Sequence, residues 1–177
     1  VRSSAASDVY KRQKYIIVEV IPTHSKAEKG IIAQISALKL EGLKLLDRFD
    51  YRIKDELIEN KDLKEVIQYD KEAFTYVDNP HFIPEKFKSW AKNLPLLIIE
   101  DSYTLDYLKD LKNKKELIYP YLNMEHSYDV FNKIMQKYNL EPSNHLVDLL
   151  YEAIIYESNN KEKETQKNER KDTTDNK

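Results

Sequence analysis

"KYIIVEVIPTHS", Lys14 to Ser25, carries an apolar, β-branched run onto a carboxylate, Glu19, and places Ile21 two residues beyond it. An unbroken run of this kind fits a strand buried on both faces, as at the centre of a layered α/β sheet. The next two segments extend it into a sheet. Gly30 ends a polar loop, and "IIAQISALKL", Ile31 to Leu40, predicts a second strand. Glu41-Gly42 fits a tight turn. Leu43 to Ile53, with apolar and polar residues partly alternating, predicts a third strand, and the three form an antiparallel meander.

Downstream, strand and helix patterns alternate. Asp62 to Tyr69 reads as a short helix. Pro84 suits a helix start, and "PEKFKSWAKNL" keeps Phe87, Trp90, Ala91 and Leu94 on one face. "LLIIE", Leu96 to Glu100, is a buried strand, and Thr104 to Leu111 is helical through Leu105, Leu108 and Leu111. Glu116 to Leu122 is a fifth strand, which Pro120 places at an edge. Ser127 caps a helix from Tyr128 to Tyr138, Pro142 breaks the chain, and a last helix runs from His145 to Glu157. The pattern predicts an α/β fold with a mixed five-stranded sheet flanked by helices.

Composition narrows the chemistry. With 2 glycines among 177 residues, Gly-rich phosphate loops are excluded. The absence of cysteine removes disulfides, thiolate zinc sites and thiol nucleophiles, and suits a cytoplasmic location. A net charge of −2 gives no global field that attracts nucleic acid, which leaves only a local groove for that role. No apolar run approaches the roughly 20 residues of a membrane span, so no membrane partner is expected.

The ends read differently from the middle. Ser3 to Gln13, "SSAASDVYKRQ", resembles the in-frame translation of a transposon-type sequencing adapter found in metagenomic gene sets, so residues 1–13 are set apart as a leader. Residues 158–177, "SNNKEKETQKNERKDTTDNK", mix charges of both signs without an aromatic or aliphatic anchor, and their composition predicts a disordered charged tail. Residues 14–157 form the folded domain.

Three stretches in that domain, "YIIVEVIPTHS…GIIAQISALKL", "LLIIEDSYTLDYLKDL" and "NLEPSNHLVDLLYEAIIY", resemble in order and spacing the DnaQ-like 3′–5′ exonucleases. The resemblance spans roughly Lys14 to Glu157. It implies a ribonuclease-H-like fold with sheet order 3-2-1-4-5, and a site of four carboxylates holding two divalent ions, magnesium or manganese, that activate a water. Two of those carboxylates come from an Asp-x-Glu on the first strand, one from the middle helix and one from the last; in many members a histidine takes the water's proton.

Carried over position by position, Glu19 stands at the first aspartate, one methylene longer, and Ile21 stands at the glutamate and cannot ligate. Asp106 and Asp148 match the middle-helix and last-helix aspartates. Ser143 stands at the base position, and His145 lies only three residues before Asp148. Glu100 and Asp101, just past the fourth strand, could supply replacement carboxylates. A misplacement of about 1 Å can cost on the order of a hundredfold in rate, and loss of the base about as much again.

The resemblance therefore implies a catalytically degenerate member with weak magnesium or manganese binding or none. It would act as a binding module for single-stranded nucleic acid, or for a DNA polymerase or repair protein. Two alternatives stay open: an active magnesium-dependent exonuclease with rearranged carboxylates, and a partner-binding domain with no nucleic-acid role. Plainer readings stand beside each residue. Glu19 fits a solvated strand end, Ile21 a core residue, and Asp106 and Asp148 first-turn acids that stabilise helix N-termini. His24, His81, His126 and His145 lack metal-ligand spacing. Tyr69, Tyr76, Tyr103, Tyr119 and Tyr121 could stack bases or fill core positions.

Overall fold

A central strand buried from Tyr15 through Val18 needs cover on both sides, and helices supply it. The computed structural model of the protein describes residues 13–59, 74–98, 104–108, 116–118, 136–137, 139 and 146–175. Strand β1 (Lys14–Pro22) pairs antiparallel with β2 (Ile32–Glu41), which pairs antiparallel with β3 (Lys44–Ile53). Tyr15, Ile16, Ile17 and Val18 are all buried. The β2–β3 turn passes through Gly42 at φ 59°, a left-handed conformation that costs a residue with a Cβ about 1–2 kcal/mol. Tyr15 donates its hydroxyl hydrogen to the Gly42 carbonyl at 2.8 Å, which ties that turn to the start of β1.

The order of the sheet is β4-β3-β2-β1-β5-β6. β5 (Leu96–Ile98) runs parallel to β1, with Ile16 opposite Leu96, and β6 (Glu116–Ile118) runs parallel to β5. Five of these strands form the expected mixed sheet in the order 3-2-1-4-5. A sixth and very short one, β4 (Thr75–Val77), adds to them: it lies parallel to β3 at the outer edge, with Tyr51 opposite Thr75.

Strand period 2 divides the sheet into two faces. On one, Ile16, Val18 and Val20 of β1, Ala37 and Ile35 of β2, and Phe49 of β3 form a core with Ile83, Phe87 and Ala91 of helix α1 (Phe82–Ala91). Their i, i+4 spacing forms the stripe that the sequence shows. The helix starts two residues before Pro84, which stands in the first turn, where a missing N–H costs nothing. Helix α2 (Thr104–Leu108) joins this face through Leu108, and the Thr104 hydroxyl oxygen accepts the Val20 N–H at 3.0 Å. On the other face, helix α3 (Leu146–Asp175) lies against β1 and β2, burying Val147, Leu149, Leu150, Ala153 and Ile154.

Helix α3 continues through residues 158–175, where composition alone predicts a disordered tail. Its first turns are fixed by packing, so the costly nucleus already exists and each further residue adds one hydrogen bond. Lys, Glu, Gln and Arg are good helix formers, and Glu164 and Lys167 are spaced for an i, i+3 pair. Among the described residues, no helix is long and apolar enough to cross a membrane. The expected helices at Asp62–Tyr69 and Tyr128–Tyr138 lie outside the described residues, apart from Gln136 and Lys137, which are helical.

Candidate functional site

On the α3 face the apolar rows give way to a polar one toward the end of β1. Cross-strand register places Glu19 opposite Ser36, and Ser36 opposite Asp50. One step further along, Ile21 stands opposite Gln34, and Gln34 opposite Arg52. One step back, Leu38 stands opposite Arg48. Directly opposed side chains start about 5 Å apart, so Glu19, Ser36 and Asp50 form a continuous row.

Asp148, in the first turn of α3, reaches over this row. Its carboxylate accepts two hydrogen bonds from the Arg48 guanidinium, Nη1 to Oδ1 at 2.7 Å and Nη2 to Oδ2 at 3.1 Å. This is the two-pronged arrangement that the planar guanidinium favours. The same guanidinium donates through Nε to Asp50 Oδ2 at 3.2 Å. Arg48 therefore bridges two acids, and its hydrogen bonds to Asp148 raise its pKa despite partial burial.

Glu19 is half-buried. Its carboxyl is pushed up to about 7, first by burial and second by the negative charge of Asp148. Near neutral pH the group is thus poised between its acid and its carboxylate. Three further polar side chains lie on the same face: Gln34, fully buried, Ser36, and Asp50; among the described residues neither Gln34 amide atom nor Asp50 Oδ1 has a hydrogen-bond partner. An orphaned buried polar atom costs about 1–3 kcal/mol, so this row is held at a cost in stability.

The structure brings Glu19 and Asp148 together and treats the other expected site residues differently. Ile21 is half-buried and packs on the apolar core. Asp106 is exposed in the first turn of α2 and lines a small cleft with Ser25, Lys26, Ala27 and Glu28. Among the described residues no three His, Asp or Glu side chains are grouped as an ion's ligand set. Glu100, Asp101, Ser143 and His145 lie outside the described residues, as do His126, Tyr69, Tyr103, Tyr119 and Tyr121. His24 serves its own loop, its Nδ1 accepting the Lys26 N–H at 2.9 Å. Tyr76 lies under the Arg52 guanidinium, 5.0 Å from the ring centre.

Arg48, Asp50, Ser36 and Gln34 were not among the expected site residues. The signal was present: Arg48, Asp50 and Arg52 recur at every second position of β3, which puts them on one face of any strand.

A second concavity lies on the opposite side of β3. Phe49, Tyr51, Phe82 and Trp90 line a cleft of about 860 Å³ between β3 and α1. Phe49 and Tyr51 stack at 4.3 Å, and the Trp90 indole N–H donates to Asp47 at 2.9 Å. The Arg48 guanidinium is held on the other face by Asp148, so Asp47 and Glu85 outnumber Lys86 in this lining and the cleft has no positive excess to draw a polyanion. Comparison with models of known families and with curated proteins finds no match to this chain.

Proposed function

We propose that residues 14–157 are a ribonuclease-H-like domain of the DnaQ-like exonuclease type whose cutting chemistry has degenerated. The domain acts by binding single-stranded nucleic acid or a protein of replication or repair. The strand order supports the frame: a three-stranded antiparallel meander whose first strand is extended by two parallel strands. The observation that carries the loss of chemistry is the fate of the carboxylates at the end of β1. Ile21 is a half-buried hydrocarbon packed against the core where a ligand oxygen is needed, and Asp148 is bound by both oxygens to Arg48. A two-metal hydrolysis needs several charged, unengaged oxygens around the ions. Here one position carries no side-chain oxygen and Asp148 is occupied.

A 3′-labelled single-stranded oligonucleotide, incubated with the full chain and magnesium or manganese, tests this reading. Retention of the label, together with salt-dependent binding in a fluorescence anisotropy series, is the expected result. Trimming that is lost in Asp106→Ala would establish an active exonuclease with rearranged carboxylates instead. Absence of oligonucleotide binding even at low salt would leave a partner-binding domain without a nucleic-acid role.

A further inference from the structure

We infer that the aromatic cleft between β3 and α1 seats an arginine side chain carried on an apolar stretch of a partner protein. Two periodicities build the cleft. Asp47, Phe49 and Tyr51 alternate along β3 and so share the face that α1 covers. Phe82, Glu85, Lys86 and Trp90 stand at i, i+3, i+4 and i+8 of α1, a stripe beside the one formed by the buried Ile83, Phe87 and Ala91. Together they line a space of about 860 Å³, within the range of ligand-sized clefts.

The rings of this cleft already hold cations of the chain itself. The Lys86 ammonium stands 6.0 Å over the Tyr51 ring, and the Lys39 ammonium 4.4 Å over that of Trp90. A positive charge is drawn to the negative face of an aromatic ring, so both contacts mark ring faces that accept one. Lys39 is fixed in place, because its ammonium also donates to the Trp90 carbonyl at 2.8 Å. Lys86 is exposed and, among the described residues, makes no hydrogen bond or ion pair. A cation with a better fit can therefore displace it from Tyr51.

One acid at the rim is uncommitted. Asp47 is engaged by the Trp90 indole N–H, but Glu85 is exposed and, among the described residues, carries no hydrogen bond or ion pair. A guanidinium suits this combination: its plane lies flat on an aromatic face while its fork donates to a carboxylate. Phe82, 47% exposed at the start of α1, offers apolar surface to the residues beside that arginine. Asp47 and Glu85 repel phosphate, which favours a protein segment over a nucleic acid as the occupant. The cleft lies on the sheet face opposite Glu19 and Asp148, and the inference does not rest on the exonuclease-type reading, so either can fail alone.

The test follows the indole N–H resonance of Trp90, the single tryptophan, in the full nitrogen-15-labelled chain. The probes are acetyl-Ala-Leu-Arg-Leu-Ala-amide, the same peptide with uncharged citrulline in place of arginine, and a thymidine oligonucleotide. The arginine peptide should shift the resonance saturably, and the citrulline peptide should bind at least about fivefold more weakly. Glu85→Gln, an exposed substitution, should weaken the arginine peptide about threefold and leave the citrulline peptide unchanged. Phe82→Ala should weaken both peptides. No saturable shift up to millimolar arginine peptide would overturn the inference, as would equal binding of the two peptides by the wild-type chain. A shift produced by the oligonucleotide and not by the arginine peptide would overturn it in favour of nucleic acid in the cleft.

Discussion

Replacing Glu19 by glutamine should make the protein more stable, and by an amount that depends on pH. In the unfolded chain the carboxyl titrates at its ordinary 4.5, and in the fold it titrates at about 7. Below 4.5 both states hold the proton and the difference costs nothing. As pH rises from 4.5 to 7 the unfolded chain releases its proton while the folded one retains it, so the fold loses stability throughout that interval. Above 7 the loss is complete, about 3 kcal/mol at about 1.36 kcal/mol per pKa unit. Glu19 is half-buried, and solvent screening brings the expected effect to about 1–3 kcal/mol. Glutamine keeps the shape and can donate to Asp148, without the charge. Urea unfolding at pH 5 and pH 8 measures the effect as the variant's stability minus that of wild type, which cancels every other titrating group. Glu19→Gln should gain little at pH 5 and its full increment at pH 8, a rise in Tm of several degrees for a chain of this length. An equal gain at both pH values, or a loss at pH 8, would refute a raised Glu19.

Three further outcomes follow from the packing. Phe87→Ala should lose about 3–5 kcal/mol, because Phe87 is fully buried with Phe49 at 5.5 Å and Trp90 at 6.1 Å between ring centres; urea unfolding measures it. Gly30→Ala should lose about 1–3 kcal/mol, since its Cβ would stand 2.7 Å from His24 Cβ and press on the Tyr107 hydroxyl; a thermal melt of the full chain checks it. Removing residues 163–177 should change the unfolding midpoint by less than about 0.5 kcal/mol while lowering the helical circular dichroism signal, because residues 163–171 are exposed along their whole length.

Much of the sheet was legible because the long strands carry strong signals. Tyr15 to Val20 is too uniformly apolar for a surface element, and the β2–β3 turn is marked by one of only two glycines. β4 left no comparable trace: three residues are too few to show a period, and its existence depends on pairing with Tyr51, Arg52 and Ile53. The end of α3 shows the converse. Its composition lacks any anchor, but the helix is propagated from turns anchored by Val147 to Ile154, which a local reading of residues 158–177 does not weigh. At the site, Glu19 on the first strand and Asp148 at the start of the last helix were legible as placements on those elements. Arg48 was not, because attention to missing acids passes over a cation two strands away. Alternation along β3 fixes its face, but only the placement of α3 determines which acid it meets.

The chain has a single tryptophan, and its setting makes it a selective optical reporter. The Trp90 ring lies 4.4 Å from the Lys39 ammonium, its N–H is held by Asp47, and its backbone carbonyl accepts from Lys39 at 2.8 Å. Emission excited selectively from that indole therefore reports the seating of α1 on β2 and β3 and is blind to α3. An ellipticity trace weights the long C-terminal helix most heavily. Divergence of the two traces during denaturation would reveal that the far half of α3 melts on its own before the body of the sheet gives way.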